Sequence, residues 1–366
     1  MKKILIFGMS DNLGGVETVI MNYYRNMNKD NLQFDFLYNT EKIAYEEEIK
    51  NMGGNTFKIT PRAKSLKQYK KDMKEFFENH AKEYSAIWVN LCILSNIDWL
   101  KYAKKYGIKC RIVHSHNSQN MTNTLKNFFH KLHKMLLTRY ATDFWACSEE
   151  AGKWFYNAKI LNGAKFKIIN NAIDIKKYQY DEKVRNEYRK KLKLENKLVI
   201  GHIGRFHFQK NHEFLINVFE EIRNENENAQ LLLIGQGEDE NKIKQIVKNK
   251  KIQDSVQFLG MRNDIKELLQ VMDLFVFPSK FEGLGLVLLE AQANGLDIYA
   301  SKEGVPQIAK MSKNFEFISL KSTPKEWAEI INSKEHNRKN NEKEIKDSGY
   351  DIKEESKKLE QFFIKS

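Results

Sequence analysis

The sequence predicts an α/β protein built from two Rossmann-like domains, each a doubly wound parallel sheet, that face each other across a cleft. Short apolar runs bounded by turn residues alternate with helical patterns along the chain, which is typical of mostly parallel sheets. This alternation lapses into charged sequence around residues 174–196 and then starts again. The 366 residues also exceed what one hydrophobic core usually supports. We therefore predict domains at 1–174 and 175–349, with a C-terminal helix at about 350–366 that packs back on the first domain.

In the first half, the apolar residues of Val16–Met27 recur at helical spacing, which predicts a helix directly after the first strand. The other predicted helices are Leu66–Phe77, Ile97–Tyr106 and Thr124–Tyr140. The predicted strands are Lys3–Met9, Gln33–Tyr38, Asn55–Ile59, Ser85–Leu91, Lys109–His114, Asp143–Cys147 and Phe166–Ile169.

The second half repeats this pattern. Its predicted strands are Leu198–Ile203, Gln230–Ile234, Val256–Leu259, Leu274–Phe277, Leu296–Ala300 and Phe315–Ile318. Its predicted helices are His212–Arg223, Asp239–Lys248, Asp264–Met272 and Leu286–Ala293. Ligands of such sheets bind beyond the carboxyl ends of the strands, so we expect the functional residues in the loops that follow them.

Composition indicates the cellular compartment of the protein. The three cysteines, Cys92, Cys110 and Cys147, lie far apart and form no CxxC pair, which favours a reducing compartment over a disulfide framework or a zinc site. No apolar run approaches the roughly 18 residues of a membrane span. The apolar start of the chain is too short for a signal peptide and is typical of a buried strand. We therefore expect a cytoplasmic protein.

The net charge of +13 is concentrated in the first half, where residues 1–175 hold 27 Lys and Arg against 17 Asp and Glu. Lysines crowd residues 58–74 and 101–139. Such a basic face could hold the protein against anionic lipid at the inner face of the plasma membrane. The alternative is that lysine is abundant throughout and merely solvates helix surfaces. No nucleic-acid-binding motif accompanies the charge, so we expect no nucleic-acid partner.

Gly14–Glu17 follows the first strand and opens the first helix. Glycines at this place let a ligand approach the backbone, and the positive end of the helix favours an anion such as pyrophosphate. The loop is not GxGxxG, and no acidic residue ends the second strand as a dinucleotide site requires. A glycine turn in a tight connection is the alternative.

Arg205 and Lys210 follow the first strand of the second half. Two cations at the carboxyl end of a strand suit the neutralisation of a diphosphate whose charge grows as its bond to a sugar breaks.

The most specific pattern is the glycine-containing loop after Phe277, which carries Glu282 and leads into a helix carrying Glu290. A carboxylate on this otherwise apolar helix must be hydrogen-bonded, because burying it without a partner is costly. Sugar and ribose hydroxyls are suitable donors. Gly283 and Gly285 remove side chains from the loop, so its amides can meet hydroxyls or phosphate.

Together these motifs resemble the retaining glycosyltransferases of family 4, which have the GT-B fold. The resemblance covers nearly the whole chain and includes Asn170–Asp174, Asp273–Ser279 and His114–Ser118. The overall pattern is most similar to bacterial capsular and exopolysaccharide members.

The resemblance implies a role for each matching residue. Gly15 would donate its amide to the donor diphosphate, Arg205 and Lys210 would clamp that diphosphate, and Glu290 would hold the ribose. His116 matches the active-site histidine beside the sugar, whereas a structural role is expected for His114. The remaining implied contacts to the transferred sugar are Glu282 and the amides of Leu284, Gly285 and Leu286.

Three positions depart from the family pattern. Trp88-Val89-Asn90 stands where members often carry His-x-His, Leu284 stands where an aromatic residue is usual, and Asp297 replaces a common proline. None of these changes removes a donor-binding group.

The implied activity is retaining, metal-independent transfer of a hexose or related sugar in surface polysaccharide biosynthesis. The implied donor is a nucleotide sugar, with UDP favoured, and the acceptor is a saccharide or a lipid-linked saccharide. No cofactor is expected. An inactive partner subunit and a nicotinamide-dependent oxidoreductase are the alternatives; the intact cations and glutamates disfavour the first, and the missing dinucleotide fingerprint disfavours the second.

Overall fold

The computed structural model describes residues 1–11, 14–117 and 124–366. The chain forms two compact units. Residues 1–172 and 351–366 make up what we call the N-terminal unit, and residues 173–350 make up the C-terminal unit.

The N-terminal unit contains a seven-stranded sheet in the order β3-β2-β1-β4-β5-β6-β7, in which the paired strands are parallel. Its strands are β1 (Lys2–Phe7), β2 (Leu32–Tyr38), β3 (Thr56–Lys58), β4 (Tyr84–Leu91), β5 (Cys110–Ser115), β6 (Asp143–Ala146) and β7 (Phe166–Ile168). Its helices up to this point are α1 (Gly15–Asn26), α2 (Glu46–Asn51), α3 (Leu66–His80), α4 (Asp98–Lys105), α5 (Thr124–Tyr140), α6 (Glu149–Phe155) and α7 (Ala158–Leu161).

The C-terminal unit contains a six-stranded parallel sheet in the order β10-β9-β8-β11-β12-β13. Its strands are β8 (Leu198–Ile203), β9 (Ala229–Ile234), β10 (Val256–Gly260), β11 (Leu274–Phe277), β12 (Asp297–Ser301) and β13 (Phe315–Ile318). Its helices are α8 (Ile175–Tyr178), α9 (Glu182–Leu192), α10 (His212–Glu225), α11 (Glu240–Asn249), α12 (Ile265–Val271), α13 (Leu286–Ala293), α14 (Pro324–Asn332) and α15 (Glu342–Asp347).

The last helix, α16 (Ile352–Lys365), belongs to the N-terminal unit. Its Phe363 is fully buried against Trp88 of β4 and Trp145 of β6, with ring centroids 6.1 and 6.0 Å apart. Burial of these aromatic rings is what attaches the C-terminal end of the chain to the first sheet.

The central strands are buried on both faces, which explains their continuous apolar runs. Ile4, Leu5 and Ile6 of β1 are fully buried, as are Leu231, Leu232 and Leu233 of β9. The predicted α/β class with two parallel sheets is therefore confirmed.

The charged segment at residues 174–196, where the sequence alternation lapses, contains α8 and α9. Arg185 and Arg189 on α9 both pair with Asp273, at Nη2–Oδ1 2.5 Å and Nη2–Oδ2 2.6 Å. Asp273 Oδ2 also accepts a hydrogen bond from the Val199 amide at 2.8 Å. These arginines tie α9 to the start of β11, an interior strand, through contacts between distant parts of the chain, which a local pattern does not reveal.

Replacing Asp273 with Asn should lower the free energy of unfolding by about 3 kcal/mol, because the two arginines lose a carboxylate that is largely shielded from water. Urea denaturation measures the change. The matched control is Asp347→Asn, which removes an exposed pair with Lys343 and should have no measurable effect. Equal effects of the two substitutions would contradict a structural role for the Asp273 pair.

Candidate functional site

The strand order of the C-terminal unit identifies where a ligand would bind. β8 is the first strand of this unit and lies between β9 and β11, so the chain proceeds outward in both directions from it. The loops after β8 and β11 therefore flank the switch point, the usual ligand-binding position in such sheets. These loops carry Lys210 and Glu282, two of the predicted site residues.

Lys210 and Glu282 form an ion pair at this switch point. Lys210 Nζ lies 2.7 Å from Glu282 Oε1, and the two side chains are only 16% and 7% exposed. The amino group also lies 4.6 Å from the centroid of the Phe277 ring. A pair so sheltered from water is stronger than a surface pair and holds both side chains in one geometry.

Three further hydrogen bonds join the two loops around this pair. The Lys280 amide donates to the Gln209 carbonyl at 2.8 Å, and Gln209 Nε2 donates to the Phe281 carbonyl at 2.8 Å. Asn211 Nδ2 donates to the Pro278 carbonyl at 3.2 Å. The loops after β8 and β11 are thus a single connected surface.

The loop after β9 also contributes to this surface, and the sequence analysis missed it. A Cβ at Gly235 would lie 2.1 Å from the Gly204 carbonyl oxygen, and one at Gly237 would lie 2.2 Å from the Phe206 carbonyl oxygen. These glycines let the loops after β8 and β9 pack backbone against backbone. The signal was available, since Gly235-Gln236-Gly237 directly follows a predicted strand.

Arg205 is in a different environment from Lys210. Its Nη2 lies 3.0 Å from Glu238 Oε2, but the side chains of this pair are 69% and 51% exposed. An ion pair in water contributes little, so Arg205 can leave Glu238 at small cost. Glu238, which the sequence analysis did not single out, also lies 3.5 Å from His207.

The start of α13 presents unpaired backbone donors. Among the described residues, none accepts a hydrogen bond from the amides of Leu284, Gly285 and Leu286. Gly285 precedes the helix with φ of +76°, a conformation that favours glycine. A Cβ at Gly283 would meet no described atom within 4 Å, so packing does not require glycine there. The Leu284 side chain is buried in the core, so this residue offers only its backbone.

Glu290 lies in the second turn of α13. Its Oε1 accepts a hydrogen bond from the Tyr178 hydroxyl at 3.0 Å. Burial raises the pKa of Glu290, and the Tyr178 hydrogen bond and the charge of Lys177 oppose that rise. Tyr178, on α8, is a further residue that the sequence analysis missed.

The N-terminal sheet has an equivalent switch point between β1 and β4. Gly8 follows β1 with φ of +114°, and a Cβ there would lie 2.1 Å from the Asn90 carbonyl oxygen. Asn90 Nδ2 donates to the Phe7 carbonyl at 3.3 Å, which leaves its Oδ1 pointing to His116 Nε2 at 2.8 Å. Asn90 is therefore the acceptor and the Nε2 of His116 carries the proton.

His116 is neutral in this setting, because burial lowers its pKa to about 3. With Nε2–H directed at Asn90, the lone pair of His116 is on Nδ1. His114 is fully buried and accepts a hydrogen bond from Trp88 Nε1 at 3.2 Å, which agrees with the structural role expected for it. Ser118, the last residue of the stretch used for the family resemblance, lies outside the described residues.

The Gly14–Glu17 loop is held by Glu17, which is buried. Its Oε1 accepts hydrogen bonds from the Ser10 amide at 3.0 Å and the Ser10 hydroxyl at 2.8 Å. A Cβ at Gly15 would meet no described atom within 4 Å. Space at this position is compatible with a ligand that approaches the backbone.

Two features are absent from the described residues. No group of three or more His, Cys, Asp or Glu side chains is arranged to hold a metal ion there. None of the helices described combines the length and the apolar composition that crossing a membrane requires.

Comparison with known proteins assigns the family. The sequence profile described as "Glycosyl transferases group 1" matches residues 184–351. The chain is also similar to the putative glycosyltransferase EpsF of Bacillus subtilis, with 30% identity over 337 residues, which cover 90% of this chain and 87% of the relative. The chain belongs to the group 1 glycosyltransferase family. A capsular polysaccharide biosynthesis glycosyltransferase of Staphylococcus aureus, CapH, is 24% identical over 87% of each chain.

Solved structures support the fold of this glycosyltransferase. Anabaena HepE, crystallised with UDP and glucose, superposes with a TM-score of 0.73 at 20% identity, covering 99% of this chain and 95% of HepE. The lipopolysaccharide-biosynthesis glycosyltransferase WaaG superposes with a TM-score of 0.66 at 14% identity, covering 98% and 95%. The expected GT-B fold class is confirmed.

Two buried histidines adjoin Lys210 in this glycosyltransferase. His212 stacks on Phe206 with ring centroids 4.3 Å apart, and neither of its ring nitrogens has a partner among the described residues. His202 lies next to it, 4.8 Å between ring centroids, and donates from Nδ1 to the Val276 carbonyl. Burial, together with the smaller effect of the Lys210 charge, lowers the pKa of His212 to about 4, and burial also lowers the pKa of His202. Both rings are therefore neutral, and Lys210 is the cation at this point of the site.

The low pKa of His212 predicts a loss of stability in acid. Between pH 6.5 and pH 4 the unfolded chain takes up a proton at this residue and the native protein does not, so stability falls as the pH falls. The full loss is about 3 kcal/mol by pH 4. In His212→Phe this contribution should disappear, giving a flatter decline of the urea unfolding free energy below pH 6.5 and parallel curves above pH 7. Identical slopes below pH 6.5 would contradict the assignment.

Proposed function

We propose that this glycosyltransferase moves a hexose or related sugar from a nucleoside-diphosphate sugar, with UDP favoured, to a saccharide or lipid-linked saccharide in surface polysaccharide biosynthesis. The proposal depends above all on the sheltered Lys210–Glu282 pair at the switch point, beside the unpaired amides that begin α13. This arrangement provides a cation for a diphosphate next to a carboxylate and amides for sugar hydroxyls. A lipid-linked acceptor would bring the reaction to the cytoplasmic surface of the membrane.

On the donor side, Lys210 and Arg205 would contact the diphosphate, and the Gly15 amide would add a third donor. Lys210 is already positioned, because its stem packs over Gly204, where a Cβ would lie 3.1 Å from the Lys210 chain. Arg205 is exposed, so it can exchange Glu238 for the incoming diphosphate. One fixed cation and one adaptable cation would let the site bind the donor and then hold the leaving group.

Glu282 and the amides of Leu284, Gly285 and Leu286 would hold the hydroxyls of the transferred sugar. Glu290 would hold the ribose. Burial raises its pKa, and two ribose hydroxyls would supply hydrogen bonds to a carboxylate that is removed from water. Tyr178 donates to Oε1 of Glu290, so Oε2 would be the oxygen that accepts from the ribose.

The proposed transfer retains the configuration of the sugar, as the family resemblance implies. The bond between the anomeric carbon and the diphosphate breaks, and the electron pair leaves with the diphosphate, where Arg205 and Lys210 stabilise the growing charge. An oxocarbenium-like centre forms, and the acceptor hydroxyl attacks it from the same face. The leaving phosphate accepts the proton of that hydroxyl. Neutral His116 would lie beside the sugar and accept a hydrogen bond at Nδ1.

Metal independence is part of the proposal, since Lys210 and Arg205 would supply the charge that a divalent ion would otherwise supply. No cofactor beyond the nucleotide sugar is proposed. The preference for UDP draws on similar proteins: HepE was crystallised with UDP-glucose, and an Escherichia coli relative, 31% identical over 141 residues, is a UDP-galactose-dependent galactosyltransferase.

Substituting Ala for Lys210 should lower kcat/KM for the donor about 100-fold or more, because a group that stabilises the leaving charge is lost. Glu290→Ala should cost a similar factor through lost ribose contacts. The measurement is nucleotide-sugar hydrolysis and transfer by the purified chain, after a thermal-shift screen of UDP- and GDP-sugars selects the donor. Lys242→Ala is the control, because that lysine forms an exposed pair with Glu213.

Near-normal activity in both Lys210→Ala and Glu290→Ala would contradict the assignment of these residues to the donor site. No turnover by the intact single chain with any donor would favour an inactive partner subunit instead. The same assay is run with EDTA, and strict dependence on added metal would contradict metal-independent transfer.

Asn90→Asp should change the pH profile of transfer. A carboxylate against Nε2 raises the pKa of His116 from about 3, because it stabilises the charged imidazole. Protonated His116 has no lone pair on Nδ1 with which to accept a hydrogen bond. We therefore expect kcat/KM to begin to fall at a pH about one to three units higher than in the wild type. Asn26→Asp adds the same charge on the last turn of α1 and should leave the profile unchanged. Superimposable profiles for Asn90→Asp and the wild type would contradict the role of Asn90 as a positioning residue.

A further inference from the structure

The outer face of α5 exposes a row of large apolar side chains. Phe128, Leu132 and Met135 are spaced by four and three residues, so they lie along one side of the helix, and Phe129 adjoins them. Their exposed fractions are 62% for Phe128, 39% for Phe129, 37% for Leu132 and 67% for Met135. Single exposed apolar residues are common, but a contiguous group on one helix indicates a surface that is covered in use.

The opposite face of α5 is attached to the protein. His130 and His133 are buried and bracket Leu94: the Leu94 amide donates to His130 Nδ1 at 3.2 Å, and His133 Nδ1 donates to the Leu94 carbonyl at 2.6 Å. Leu137 is fully buried in the core under the first sheet. These contacts set the rotation of the helix, so the apolar row is not a core face that has failed to pack.

Charge around this helix has a single sign. From residue 99 to residue 142 the chain holds nine Lys and Arg and no Asp or Glu. Lys126, Lys131 and Arg139 are exposed on α5 itself. Lys104 of α4 donates to the Arg139 carbonyl at 2.8 Å, which adds its charge at the C-terminal end of the helix.

The other lysine-rich segment of this unit, at residues 58–74, has a different character. α3 carries three acidic residues as well as its lysines, and Lys74 Nζ lies 3.7 Å from Glu78 Oε1. The large apolar side chains of α3 face inward, except for Leu66 at its start. This helix is a solvated surface, whereas α5 combines exposed apolar side chains with unmixed positive charge.

We propose that the outer face of α5, defined by Phe128, Phe129, Lys131, Leu132 and Met135, docks on an anionic lipid bilayer. An apolar row bordered by cations is the pattern of helices that lie in the membrane interface, with the rings among the acyl chains and the cations at the headgroups. A second copy of this chain fits poorly, because a symmetric contact would bring two sets of cations together. The docking does not depend on the donor chemistry proposed above.

The test measures sedimentation of the full chain with two kinds of vesicle. One kind is pure phosphatidylcholine, and the other also contains about 30–50% phosphatidylglycerol, which makes its surface anionic. The wild type should bind the anionic vesicles at least tenfold more tightly than the neutral ones, and added salt should weaken that binding. Phe128→Ser/Met135→Ser should reduce binding to anionic vesicles at least tenfold. Lys131→Gln should reduce it about fivefold, the loss expected for one interfacial cation.

Lys357→Gln is the matched control. Lys357 is exposed on α16, whose Phe363 packs on Trp88, while α5 packs on the side of the sheet that contains Val89. Because side chains alternate along a strand, these two helices cover opposite faces. This control should change vesicle binding less than twofold.

Unchanged vesicle binding in the apolar double variant would overturn the proposal, as would equal affinity of the wild type for neutral and anionic vesicles. The proposal would also be overturned if light scattering showed that the wild type is a dimer and that the double variant is a monomer which still binds vesicles. Retained melting temperature and retained nucleotide-sugar hydrolysis in the double variant are the expected results. These results distinguish the two proposals, because an error in the proposed donor site would appear in the hydrolysis assay and not in vesicle sedimentation.

Discussion

The candidate site of the C-terminal unit depends on one pairing, that of Lys210 with Glu282, and the strand order makes this pairing possible. β8 lies between β9 and β11, so two loops separated by about 70 residues of chain leave the sheet side by side. The ion pair and the surrounding backbone contacts then join them. Because both side chains are sheltered from water, the pair keeps its geometry without a ligand. The amides at the start of α13 and the carboxylate of Glu290 are positioned relative to that fixed point.

Burial controls protonation at both candidate sites. His116, His202 and His212 all have lowered pKa values because the charged imidazole would lose its hydration. Neutral rings keep positive charge confined to the lysine and arginine that can meet a diphosphate. Glu290 shows the same effect with the opposite sign, since burial raises the pKa of a carboxylate. At His116 and Glu290 these shifts favour hydrogen bonds with uncharged groups, such as hydroxyls.

Arginine serves two purposes in the C-terminal unit, and exposure separates them. Arg185 and Arg189 are mostly shielded and share Asp273, which ties the charged segment at residues 174–196 to the rest of the C-terminal unit. Arg205 is exposed and held only by a solvated glutamate, which suits a residue that must change partners. The identity of the residue does not distinguish these uses, because desolvation sets the strength of each pair.

Much of this could be predicted from the sequence because it follows from local pattern. The thirteen strands and the helix positions at Gly15, His212 and Leu286 come from apolar periodicity, and the glycine loops and charged residues after strands mark the candidate site. The pairing of Lys210 with Glu282, of Arg205 with Glu238 and of Asn90 with His116 is decided only in the tertiary structure. So is the outward direction of Phe128 and Met135. Sequence spacing determines which side chains share an element, but contacts between distant segments and exclusion of water determine which partners they meet and which charge they carry.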